Sequence, residues 1–155
     1  MDKALRFGPL FRWYIVVIMS LKISDANPDP GTPQAMDSID EATYLQITAK
    51  QDASGIVIDA RGDLDLVTVG RLDDQIEDSI DDLKNLPAGK LLVLDLTHLE
   101  FIDSAGLALL IRISRELGVI ERVLRVVVTR GRQPDRVLKI GQFYRILDLA
   151  YEMSG

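Results

Sequence analysis

Residues Leu91-Leu92-Val93-Leu94-Asp95-Leu96 are apolar at every position but one. So short and continuous a run leaves no polar face for water, and it reads as a strand buried on both faces near the centre of a sheet. The next two segments narrow the choice further. Ser104 to Leu117 has helical periodicity and is followed by Gly118, and Leu124 to Thr129 (LRVVVT) is again strand-like. Strand, helix and strand in that order make a βαβ unit with a right-handed crossover, and parallel pairing follows.

The flanking elements extend this α/β pattern. Tyr44 to Thr48 and Ile56 to Ala60 alternate or run apolar around the turn residues Asp52-Ala53-Ser54-Gly55, which predicts an antiparallel hairpin. Thr68 is an N-cap candidate for a helix whose Leu72, Ile76, Ile80 and Leu83 form one apolar stripe, ended by Pro87 and Gly89. Its other face carries Asp73, Asp74, Glu77, Asp78, Asp81 and Asp82 and reads as a solvated acidic face. Gln133-Pro134-Asp135 opens a last short helix through Ile140, and Phe143, Ile146 and Leu147 supply apolar cover after it.

Composition excludes several functions. The 155 residues suit one domain, and the formal charge of -6 argues against direct nucleic-acid binding, which needs clustered Lys and Arg. With no Cys and only His98, neither thiolate chemistry nor a multi-histidine metal site can be built. Leu10 to Leu21 is apolar but interrupted by Arg12, and shorter than the ~20 residues of a spanning helix, so no membrane anchor is expected. Its flanks imitate a secretory signal poorly, and cytoplasmic residence is the expectation. Asn27 to Pro33 (NPDPGTP) is linker chemistry, so residues 1–43 read as a flexible extension, with Met36 an alternative start, ahead of a domain over 44–155.

The segment from Asp95 to Leu107 (DLTHLEFIDSAGL) joins the central strand to the helix and puts Ser104 at a helix start. There a hydroxyl caps the first turn, a contribution of about 1 kcal/mol, and the same place suits a phosphate, because unpaired N–H groups and the helix dipole favour negative charge. A serine hydrolase would need Gly at Ile102 and a base from a distant element, whereas His98 lies six residues before Ser104. A receiver-like domain phosphorylated on Asp95 would need an acidic metal cluster and a partnering Lys after Leu124, where Thr129-Arg130 stands.

The run Phe101-Ile102-Asp103-Ser104-Ala105-Gly106-Leu107, after a strand ending Asp95-Leu96-Thr97, resembles the signature of the STAS family. Gly62-Asp63-Leu64-Asp65 is similar to that family's G-E-L-D segment, with Asp63 for the commoner Glu, and Pro134 to Ile140 is similar to its closing helix. The resemblance covers about Tyr44 to Tyr151. It implies a mixed sheet of four to five strands covered by helices mainly on one face. It also implies a non-enzymatic anti-sigma factor antagonist that needs no cofactor of its own, and with no heptads over any long stretch a monomer is the expectation. On this reading the unphosphorylated protein binds a serine-kinase anti-sigma factor and frees the sigma factor for transcription. Phosphorylation of Ser104 ends the binding, and a serine/threonine phosphatase resets the switch. Ala105 stands where many members carry a second hydroxyl, which leaves Ser104 as the acceptor. The expected partner surface joins Asp63, Asp65, Asp103, Ser104, Ala105 and Gly106 to a helix side formed by Ala108, Leu109 and Arg112. A scaffold subunit of a signalling assembly, or a transporter partner, is the alternative on the same fold.

Overall fold

In the computed structural model, whose described residues are 45–152, the chain runs β1 (Gln46–Asp52), β2 (Gly55–Leu64), α1 (Val69–Lys84), β3 (Leu91–Asp95), β4 (Leu99–Ile102), α2 (Ser104–Val119), β5 (Leu124–Val128), α3 (Gln133–Ile140), a 3-10 turn (Phe143–Arg145) and β6 (Asp148–Tyr151). The extension over 1–43 and the alternative start at Met36 lie outside the described residues. β1 and β2 form the antiparallel hairpin, with Asp52 opposite Gly55, and every other pairing is parallel. The order is β1-β2-β3-β5-β6. β2 is long enough for two partners: Gly55 to Asp59 pair with β3, and Gly62 to Leu64 pair with β4 beyond it. The sheet therefore has six strands.

Alternation along the strands sets which side is covered. Ile56, Ile58 and Ala60, Leu92 and Leu94, and Val126 and Val128 are buried, whereas Val57, Val93 and Val127 between them are only half-buried. β3 is central, but it is fully buried on one face only, because α1 and α2 lie on the same side as the buried set. The predicted stripe of α1, Leu72, Ile76, Ile80 and Leu83, is buried whole. Burial of each such side chain contributes about 1.5–3 kcal/mol. At the far end Arg122 donates to the carbonyls of Leu86, Pro87 and Lys90, tying the α1–β3 loop to the α2–β5 loop.

Two helix ends differ from expectation. Gly118 lies inside α2, which runs on to Val119, and the left-handed residue after the helix is Glu121, φ 59°. Thr68 precedes α1 but makes no cap bond to it. Its hydroxyl donates to the Asp63 carbonyl at 2.8 Å and accepts from the Asp65 N–H at 3.0 Å, so it closes the loop before the helix.

Candidate functional site

β2 and β4 run parallel and end side by side, with Leu64 opposite Ile102 and the Asp103 N–H donating to the Leu64 carbonyl at 3.1 Å. Two turns therefore meet: Asp65 to Thr68 leads into α1, and Asp103 leads into α2. The carboxylate of Asp103 fastens them together. Its Oδ1 accepts from the Gly106 N–H at 3.0 Å, which caps α2, and its Oδ2 accepts from the Leu66 N–H at 3.0 Å across the junction. Asp103, extended at φ −110° and ψ −173° and almost fully buried, is thus the N-cap in place of the expected Ser104. A carboxylate reaches the N–H three residues on and still has a second oxygen for the neighbouring loop, which one hydroxyl cannot do.

Ser104 is consequently the first residue of α2, half-buried, and its hydroxyl has no hydrogen-bond partner among the described residues. It sits at the positive end of a 16-residue helix. Gly106 lies directly beneath the turn. A Cβ there would stand 2.7 Å from Ile102 Cγ1 and 2.9 Å from Leu64 Cγ, so glycine is what lets α2 start this close to both strands.

The acidic residues are bound into the turns. Asp65 Oδ1 accepts from the N–H groups of Val67 at 2.9 Å and Thr68 at 3.1 Å. Asp63 has its carboxyl pushed above the usual range by burial, then by the charges of Glu100 and Asp65.

The helix side expected to face a partner divides. Ala108 is exposed and Ala105 half-buried, but Leu109 is 4% exposed and packs in the core. A helical wheel set against the sheet alone turns Leu109 outward, whereas α1 lies alongside α2 and widens the covered arc. Arg112 is exposed, yet its guanidinium already spans Asp73 and Glu77 of α1 and Glu116 of its own helix, with the Asp73 bond first among the influences that raise its pKa. Arg112 thus joins helix to helix.

Two residues in this corner are not singled out by sequence pattern. Leu66 and Val67 are 77% and 78% exposed, held outward by backbone bonds to Asp103 and Asp65. Two adjacent apolar residues, Leu66 and Val67, directly after Asp65 in a turn are the available signal. Among the described residues no group of three or more His, Cys, Asp or Glu could hold a metal ion, and no helix is long and apolar enough to cross a membrane.

Comparison with known proteins agrees with this architecture. Solved structures with the same fold include an anti-sigma factor antagonist from Mycobacterium paratuberculosis, 24% identical with a TM-score of 0.60, covering 71% of this chain and 87% of that one. A candidate anti-sigma factor antagonist from Thermotoga maritima is 17% identical with a TM-score of 0.58, covering 70% and 87%. The anti-sigma factor antagonist SpoIIAA in its unphosphorylated form is 18% identical with a TM-score of 0.54, covering 70% and 90%. A search of curated protein sequences finds no match. The STAS domain pattern matches residues 44–153, which span both turns, the Ser104 helix start and the closing helix, and the chain belongs to the STAS domain family.

Proposed function

We propose that this protein is an anti-sigma factor antagonist whose binding to a serine-kinase anti-sigma factor is switched off by phosphorylation of Ser104. The observation that carries the reading is the division of labour at the start of α2: Asp103 caps the helix, and the Ser104 hydroxyl is left uncommitted at the surface. A serine locked into a cap would have to break a bond before accepting a phosphoryl group. The kinase supplies the ATP and the catalytic groups, and a serine/threonine phosphatase restores the hydroxyl. The antagonists among the similar folds support this class of partner.

The docking surface on this reading is the joined pair of turns with Ser104 at its middle, Ala105 and Ala108 on one side, and Leu66 and Val67 on the other. Two exposed apolar side chains on a backbone already fixed by hydrogen bonds offer contact area at little ordering cost. A phosphate adds about 1.5 to 2 negative charges next to the Asp103 carboxylate that caps the same helix. Docking must then desolvate those charges, and about 1.4 kcal/mol of penalty already costs a factor of ten in affinity. Local charge is therefore enough to release the partner without rearranging the fold.

Calorimetric titration of Ser104→Ala and Ser104→Asp against a serine-kinase anti-sigma factor tests the interface. Ser104→Ala should bind like the unmodified protein and Ser104→Asp at least tenfold more weakly; equal affinities would remove the switch from this surface.

A further inference from the structure

β4 is a four-residue strand with β2 on one side and, among the described residues, no strand on the other. In a parallel strand both backbone groups of a residue point to the same side, and those of Ile102 point away from β2, where a missing strand would have left them unpaired at a half-buried edge. They are paired by a side chain. Gln133 Oε1 accepts from the Ile102 N–H at 2.8 Å, and Gln133 Nε2 donates to the Ile102 carbonyl at 2.9 Å. A carboxamide carries the same donor and acceptor as a peptide group, so Gln133 acts as one residue of an extra strand. Asn is the other side chain with that pair, on an arm one carbon shorter.

The position of this clamp gives it a role. Ile102 precedes Asp103, and Asp103 holds both the Leu66 loop and the first turn of α2. Ile102 also lies under Gly106, where a Cβ would have no room. Gln133 itself is the first residue of α3, a helix that packs on β4 and is anchored by the buried Asp135, which accepts from Gly131 N–H at 2.7 Å and pairs with Lys139 at 3.0 Å.

We propose that Gln133 is a positioning residue for the Ser104 turn, coupling α3 through the backbone of Ile102 to Asp103 and so to both loops that flank Ser104. The role of Ser104 as acceptor rests on the function proposed above; the coupling does not. A change at the β5–α3 loop is thereby felt at the docking surface although no residue of α3 belongs to it.

Residue-resolved amide exchange on the full chain reads the coupling directly. In Gln133→Ala the Ile102 N–H should exchange about two- to tenfold faster, the range one ordinary hydrogen bond carries, with Leu66 and Gly106 accelerated alongside it and Val126 of β5 unchanged. Gln133→Glu keeps the acceptor for the Ile102 N–H but sets a carboxylate oxygen against the Ile102 carbonyl, so Ile102 should be rescued only in part. Acceleration confined to Ile102, or spread equally to Val126, would overturn the proposal, the first by showing no transmission and the second by showing general loosening. With a serine-kinase anti-sigma factor and ATP, Gln133→Ala should raise KM for transfer to Ser104 more than it lowers kcat. If unmodified protein takes up no phosphate, the Ser104 reading fails, while the exchange pattern still decides the role of Gln133.

Discussion

At the scale of single residues, most of the site depends on one carboxylate. Asp103 stops being a cap and a bridge at once if it is shortened: in Asp103→Ala the Gly106 N–H loses its acceptor and the Leu66 loop loses its tie to α2. The loss should be about 1–2 kcal/mol by urea denaturation, as for strong caps, and amide exchange should rise at Leu66 as well as Gly106. A loss with the Leu66 amide unaffected would mean that the cap alone matters. The Asp-Ser pair is legible in the sequence as a helix start, but which of the two caps is not. Both are good capping residues and sequence periodicity places helix ends only to within a residue or two, so the choice falls to the loop that a second oxygen can reach. Gln133 is legible as a helix start and nothing more, because its partner lies 31 positions away.

Among the elements, α3 has an acid-sensitive anchor. Burial, the largest influence on Asp135, pushes its carboxyl up, but the Gly131 N–H and the ammonium of Lys139 outweigh it, so it is held below its ordinary value of 3.8. The unfolded chain therefore takes up this proton first as pH falls. The stabilisation is complete well above 3.8 and is lost as pH drops through the lower folded-state value. Asp135→Asn should cost about 1–3 kcal/mol at pH 7 and much less near pH 2, compared by urea unfolding at both. An equal cost at the two pH values would show that shape, not charge, is what Asp135 contributes. The helices are readable in advance because each buries a periodic stripe. β4 is not, since Leu99-Glu100-Phe101-Ile102 is four residues long with two of them exposed, and it is a strand only because the end of β2 and the side chain of Gln133 flank it. Leu109 reads as outward-facing for a related reason, as a wheel cannot foresee a neighbouring helix.

For the molecule as a whole, the βαβ unit and the order of elements follow from sequence pattern, and family membership follows from two short motifs in the right order. The six-stranded sheet with α1 and α2 on one side then brings those motifs together, since β2 and β4 end side by side and deliver the Gly62–Thr68 segment beside Ser104. Pattern does not supply the division of roles inside the assembled corner, with Asp103 structural, Ser104 uncommitted, Arg112 engaged with α1, and Leu66 and Val67 presented outward. The acidic balance of the chain fits a partner other than nucleic acid, and the proposed switch needs charge at one point only. Its most direct test is incubation of the purified protein with a serine-kinase anti-sigma factor and ATP, followed by intact mass and site mapping. The account predicts one added phosphate, mapped to Ser104 and absent from Ser104→Ala; a phosphate on another residue, or none on the unmodified protein, would contradict it.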